Sequence, residues 1–350
     1  MSLSSDQLIK QEIIDTIGYS VGKLKLRIFP ESSNFDQQLF CDGGLTFGAN
    51  KLQYGSCDAV WFVDVDKYED PYTHKIYNKK PVVALEGTDA LERGSSGDAQ
   101  YQRFHHALGA IKSNVIGVYY LRPGKSKIRP DLFFMAYQAS KYEKGIYLII
   151  NDLNVLKQLL ETIDRYGTKS PEFVEFIKKQ KDNMKNIWDE YFNKEYGSWD
   201  VFSEKRSTIV KKDYVIKYAG RMRRNFTDSS QRAGHIAVGE MYLTKYFFPD
   251  HKTVYLLPRM THADVKYLDQ HKMNDKEWRL LRLEPNVDIA TMDDIINLPD
   301  ILRNRLVAIS DQPLKGDALQ IYRDCVKEIV NGLNQGTIKI NFDTLLPNPV

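Results

Sequence analysis

The chain has 350 residues, 49 Lys and Arg against 46 Asp and Glu, and a formal net charge of +3. With 42% hydrophobic residues it reads as an ordinary soluble globular protein of one large or two modest domains, and no apolar run approaches a membrane span. Cys41, Cys57 and Cys325 are odd in number and scattered, which argues against a disulfide framework or a zinc site, and Met1-Ser2-Leu3-Ser4-Ser5-Asp6 lacks the basic start and apolar middle of a signal peptide, so a cytoplasmic setting is expected.

Residues 5 to 17 form the first expected helix. Ser4 and Gln7 have capping-box spacing, Leu8, Ile9, Ile13, Ile14 and Ile17 share a face, and Gly18 ends it; Glu12 is polar on this helix. Gly43, Gly44, Gly48 and Gly55 follow in a segment suited to tight turns or close backbone contact. Asp58 opens the apolar run Ala59-Val60-Trp61-Phe62-Val63, and Glu86 closes Pro81-Val82-Val83-Ala84-Leu85. Both runs read as short buried strands. The polar stretch from Asp64 to Lys80, with Pro71 and Asn78, reads as a turn or loop. Two strands joined this way pair antiparallel, which places Asp58 beside Glu86 at one sheet edge. Paired carboxylates repel, so such a site holds a divalent cation or shares a proton. A helix is expected over 97–113, with Gln100, Gln102, Arg103 and His106 polar and His105 and His106 read as surface or packing residues. Strands are expected at Val115–Tyr120 and Gly145–Ile150.

The order Gly55-Ser56-Cys57-Asp58, Val82-Val83-Ala84-Leu85-Glu86-Gly87-Thr88, Gly97-Asp98-Ala99-Gln100-Tyr101-Gln102-Arg103-Phe104 and Val115-Ile116-Gly117-Val118-Tyr119-Tyr120 resembles the PD-(D/E)XK nuclease core, in particular that of type II restriction endonucleases. In that family an Asp starts one strand, a Glu or Asp, any residue and a Lys end the next, and a helix and another strand follow. The resemblance covers roughly residues 5 to 150. It implies an α/β fold with a central mixed sheet flanked by helices, Asp58, Glu86 and Thr88 as catalytic residues, and Mg²⁺ held by Asp58, Glu86 and the carbonyl of Gly87. The activity it implies is hydrolysis of double-stranded DNA by water, with the 3′ oxygen displaced and a 5′ phosphate left. Cys57 stands where the family often has Pro. Thr88 stands where it usually has the catalytic Lys, and a hydroxyl supplies no positive charge. Either a cation reaches in from elsewhere, with Arg93, Lys112 and Lys141 as candidates, or the site is weak or inactive. Glu12, Gln100 and Gln102 are accessory candidates by the same resemblance.

Further along, a helix over 152–165 ends at Gly167, and Ser170-Pro171-Glu172 begins another whose stripe is Phe173, Phe176, Ile177, Met184, Ile187, Trp188 and Tyr191. The nuclease-like core is expected over 1–166 and a mostly helical recognition and dimerisation region over 167–350. The segment from Lys205 to Arg232 gathers basic residues with interleaved aromatics. Lys211, Lys212, Arg221, Arg223, Arg224 and Arg232 are its candidates for touching DNA; a solvated basic face is the alternative. A helix is expected over Gln231–Phe247, a strand at Val254–Leu257 followed by polar loops to about 310, and an amphipathic helix over Ala318–Leu333.

Gly124-Lys125-Ser126 lacks the preceding glycine of a phosphate-binding loop, since that position is Tyr119, and Gly145-Ile146-Tyr147 has no second motif of the GIY-YIG nucleases. The expectation is therefore a Mg²⁺-dependent type II restriction enzyme, a homodimer on double-stranded DNA. Its rivals are a DNA-binding protein with an inactive nuclease fold, and an α/β enzyme acting on a small phosphorylated or sugar substrate through Asp58 and Glu86.

Overall fold

The structure, a computed structural model, describes residues 5–28, 46–49, 52–91, 97–143, 145–220, 222 and 228–349. The chain is α/β and divides into two compact units, Met1–Lys194 and Glu195–Val350. Among the described residues no helix is long and apolar enough to cross a membrane.

The first unit runs α1 (Ser5–Ile17), β1 (Ser20–Val21), β2 (Leu24–Ile28), β3 (Thr46–Ala49), β4 (Leu52–Ser56), β5 (Ala59–Glu69), β6 (Ile76–Thr88), α2 (Phe104–Lys112), β7 (Ile116–Leu121), α3 (Pro130–Tyr142), β8 (Tyr147–Ile150), α4 (Leu153–Tyr166) and α5 (Pro171–Glu195). Its six-stranded sheet has the order β1-β2-β5-β6-β7-β8. The first four strands pair antiparallel, and β7 and β8 add in parallel, as the α2 and α3 crossovers require. Helices cover both faces of β6. The Gly87 Cα lies against Ile9 of α1, while Glu86, one residue earlier, points at Arg103 and His106. This two-sided burial explains why inner β5, β7 and β8 are unbroken apolar runs rather than alternating ones.

The hairpin departs from expectation in one respect. The polar segment 64–80 is strand for most of its length: β5 continues to Glu69, β6 starts at Ile76, and only the stretch between them turns. The outer part alternates in exposure, so it forms an arm beyond the covered sheet that needs polar residues where the inner part needs apolar ones. The helix expected from 97 begins as a 3₁₀ turn at Gly97–Gln100, and α2 itself starts at Phe104.

The boundary expected near residue 167 falls inside the first unit. There α5 buries Phe173, Ile177, Met184 and Trp188, and Trp188 stacks on Phe134 of α3 at 5.1 Å. Ser170 caps α5 by accepting the Phe173 N–H at 3.1 Å, as its sequence signature predicts.

The second unit runs α6 (Trp199–Lys205), β9 (Thr208–Val210), β10 (Tyr214–Tyr218), α7 (Asp228–Phe247), β11 (Lys252–Leu257), α8 (His262–Lys272), α9 (Lys276–Leu283), β12 (Val287–Thr291), β13 (Ile295–Ile296), α10 (Asp300–Ala308), α11 (Gly316–Gln335) and β14 (Lys339–Ile340). It is rich in helix as expected, yet its centre is a sheet of order β12-β11-β10-β9, of which only β11 is an expected strand. The region 257–310, expected as loops, instead holds α8, α9, β12, β13 and α10. One face of the sheet packs Ile216, Val254, Leu256 and Ala290 against Tyr322, Cys325, Val326 and Ile329 of α11.

Candidate active site

Ala59 pairs with Leu85 in the β5–β6 ladder, so Asp58 and Glu86 come together at the strand ends, as expected of two antiparallel strands. Asp58 Oδ2 accepts the Gly87 N–H at 2.8 Å, which fixes its carboxylate on the end of β6. Glu86 is 0% exposed. Its Oε1 accepts a hydrogen bond from Arg103 Nη1 at 2.7 Å, and its Oε2 lies 3.2 Å from His106 Nδ1. Oε2 is buried and receives no well-aligned hydrogen bond.

His106 Nδ1 also lies 2.9 Å from the Ser56 carbonyl. A carbonyl oxygen and a carboxylate only accept, so Nδ1 carries the proton and is shared between them. Gly55 makes this placement possible. It has φ +138°, and a Cβ there would sit 2.7 Å from the imidazole ring. The close backbone contact expected of the glycine-rich segment is thus made at Gly55, by a histidine.

Burial works to raise the Glu86 carboxyl, but His106 and Arg103 together outweigh it and hold Glu86 below the usual carboxylate range. Arg103 shows the reciprocal effect: burial lowers it and Glu86 raises it further, so it stays charged. Its side chain remains 42% exposed, which leaves part of the guanidinium facing solvent. Tyr119, paired with Glu86 in the β6–β7 ladder, is pushed up by burial and by the Glu86 charge, and stays a neutral phenol. It donates to the Gln100 carbonyl at 3.0 Å. Thr88 is buried near Tyr119, with which it is hydrogen-bonded, and its hydroxyl accepts the Ala90 N–H at 3.3 Å.

The other expected site residues distribute differently. Gly87 meets Asp58 through its N–H rather than its carbonyl. Glu12 is committed to Arg122 Nε at 2.7 Å and to the Tyr120 hydroxyl at 3.1 Å, a staple between α1 and β7. Gln100 is buried and clips a loop, donating to the Lys127 carbonyl at 3.1 Å and accepting the Arg129 N–H at 2.8 Å. Gln102 is half-buried in the turn before α2. Lys112 pairs with Glu143 at 2.8 Å, and Lys141 lies over the Tyr142 ring. Arg93 lies outside the described residues. The basic side chains that the structure does place on Glu86 are Arg103 and His106. Their spacing of three on a helical turn, with Glu86 on the preceding strand, is the signal that could have found them.

Of the basic segment, Lys212 is exposed, and Lys211 Nζ donates to the Leu333 carbonyl at 2.9 Å. Lys217 is buried in β10 and donates to the Arg206 carbonyl at 2.7 Å, so it belongs to the fold. Arg221, Arg223 and Arg224 lie outside the described residues, as does the side chain of Arg232.

The donors at Asp58 and Glu86 fit a hard divalent cation, since they are carboxylate oxygens and one of them, Glu86 Oε2, is buried without a well-aligned partner. Among the described residues no three His, Cys, Asp or Glu side chains gather to hold a metal ion. The chain would thus supply two carboxylates and leave the remaining positions to water and substrate oxygens, which is the manner of Mg²⁺. No family model, curated protein or solved structure matches this chain.

Proposed function

We propose that this protein is a Mg²⁺-dependent, sequence-specific endonuclease of double-stranded DNA, of the type II restriction kind within the PD-(D/E)XK nucleases. The observation that carries the reading is Glu86. An ionised carboxylate is buried completely at the carboxyl end of a strand, beside Asp58, with the Arg103 cation already on it. Burying a charge is costly, and perturbed, paired carboxylates at strand ends cluster at working sites. The sequence of elements supports the same reading: a helix, a strand starting after Asp58, a strand ending at Glu86-Gly87-Thr88, then a helix and another strand.

Asp58 and Glu86 would hold the cation, which when bound supplies charge stabilisation and a more acidic water. Arg103 faces the developing charge on the phosphate, the task Thr88 cannot perform. His106 and the Gly87 N–H keep the two carboxylates oriented. Water adds to phosphorus, the bond to the 3′ oxygen breaks, that oxygen leaves with a proton, and a 5′ phosphate remains. Lys211, Lys212, Arg221, Arg223, Arg224 and Arg232 are the proposed phosphate and base contacts of the second unit. A homodimer would match a palindromic site.

The rival with an observation behind it is a DNA-binding protein of this fold without chemistry, because Arg103 occupies the Glu86 oxygen that a cation would also use. Incubation of a long, sequence-diverse DNA with Mg²⁺ separates them. Discrete fragments are expected from the wild type, none with a chelator, and at least about 10²-fold slower cutting by Glu86→Gln. DNA binding without fragments would establish the rival. Neither binding nor cleavage would sink both.

A further inference from the structure

We infer that a cavity in the first unit takes a nucleobase drawn out of the DNA stack near the cut, an inference that rests on the nuclease reading. The cavity has a volume of about 530 Å³ and opens where β7 and β8 end, between the loop after β7 and α5. Ligands of open α/β sheets bind outside the carboxyl ends of the strands. This is the edge that carries the candidate active site. Gly87 pairs with Tyr120, and Tyr120 with Ile150, which lines the cavity. Two strand spacings put the backbone of Ile150 about 10 Å from that of Gly87, on the order of one or two nucleotides along a strand. The wall is tied to the active strand, because Leu91, three residues past Thr88, accepts the Ser126 N–H at 3.0 Å.

The lining has the chemistry of a base site. Three residues with side-chain amides line it, Asn151, Gln180 and Asn183. No side-chain hydrogen bond joins any of the three to another described residue; Gln180 is half-buried, and Asn151 and Asn183 are open to solvent and to a ligand. Each offers a donor and an acceptor, the pairing that base edges require. The acid of the lining, Asp152, is turned to capping α4 through the Asn154 N–H at 2.8 Å. Apolar surfaces from Ile128, Phe133, Ile150 and Ile187 make up much of the rest. A base inside the duplex has both faces covered by its neighbours and presents only edges. Apolar walls together with unengaged amides therefore suit a whole base out of the stack. Lys127, exposed and also part of the lining, adds a cation for the phosphate of that nucleotide.

The test uses the duplex identified by mapping the wild-type fragments, with 2-aminopurine placed in turn at each position near the cut. Glu86→Gln protein is added without Mg²⁺, so that the duplex stays intact, and the emission is read. A rise at one position is expected, and its loss when Gln180→Ala and Asn183→Ala are added. In the otherwise wild-type protein the same two changes should slow cleavage of that site by about 10- to 100-fold. Lys127→Ala should weaken all DNA binding alike and lower the salt slope by about one. Circular dichroism verifies that each variant is folded. Unchanged cleavage by the double variant would overturn the cavity and leave the nuclease reading intact. Slower cleavage with no emission rise at any position would put the amides on a groove edge and overturn the extruded base. Should the wild type cut nothing, a DNA that it binds takes the place of the mapped duplex. An emission rise there would support the cavity and sink the nuclease reading. No DNA binding at all would overturn both.

Discussion

Burial disfavours the ionised Glu86 carboxyl, His106 and Arg103 favour it, and the two partners prevail. The folded value therefore lies below the ordinary 4.5 of a glutamate. The resulting stabilisation is complete above about pH 4.5 and is lost as pH falls through the depressed folded value. Urea unfolding followed against pH should show this acid-side loss in the wild type and a flatter profile in Glu86→Gln. Arg103→Ala removes the 2.7 Å bond and leaves a buried carboxylate with one partner. Breaking a fully buried pair costs about 3–5 kcal/mol, but the exposed part of Arg103 is screened, so about 1–3 kcal/mol is expected. The acid-side loss should also move to higher pH in that variant. An unchanged pH profile in both variants would mean that Glu86 is not held by these partners. The meeting of Asp58 with Glu86 was readable because it follows from the pairing of two adjacent strands, β5 just after Asp58 and β6 ending just past Glu86. Arg103 and His106 were not, because which helical residues reach a given strand depends on how closely the helix packs. That closeness is set by two single glycines, Gly55 and Gly109 of α2, which the spacing of the acidic residues does not reveal.

At the scale of elements, the packing of α2 positions the site. A Cβ at Gly109 would sit 2.7 Å from Tyr54 Cβ and 3.0 Å from Phe47 Cβ, so α2 lies against the β3–β4 hairpin with no room for a methyl group. Two effects of Gly109→Ala compete. Alanine favours the helix over glycine by up to about 1 kcal/mol. Overpacking costs about 1–3 kcal/mol, and here the obstructing atoms are Cβ atoms fixed to the backbone, which cannot rotate away. The steric effect should win, with a net loss of about 1–2 kcal/mol in urea unfolding and a matching loss of activity as α2 carries His106 outward. A gain in stability would show that the helix yields without cost. The hairpin illustrates the limits of pattern at this scale. Its inner strands were legible as apolar runs. Its outer arm was hidden because an uncovered two-stranded ribbon is built from the same polar residues as a loop. The second sheet was hidden for a related reason: β9 and β10 lie inside the basic segment, where Lys211, Lys212 and Lys217 mask the short apolar pairs that enter the core.

For the whole molecule, the two compact units set what can be divided. Composition suggested a break at 167, where Gly167 and Ser170 punctuate the chain between α4 and α5. Punctuation marks the end of a helix and says nothing of where the next helix packs. In the structure α5 returns to the first unit and places Trp188 on Phe134. Burial of Phe173, Ile177, Met184 and Trp188 is worth about 1.5–3 kcal/mol for each side chain, an upper bound of roughly 6–12 kcal/mol. That is comparable with the entire stability of a typical domain, about 5–15 kcal/mol. A fragment of residues 1–166 is therefore expected not to fold, because it uncovers the α3 surface and removes the wall that Gln180 and Asn183 give the cavity. A fragment of residues 1–194 should unfold cooperatively in urea and keep the acid-side loss attributed to Glu86. If both fragments fold with equal stability, α5 contributes little to the first unit and the division belongs nearer 167. If neither folds, the first unit depends on the remainder of the chain, and its two-strand site is not an independent structure.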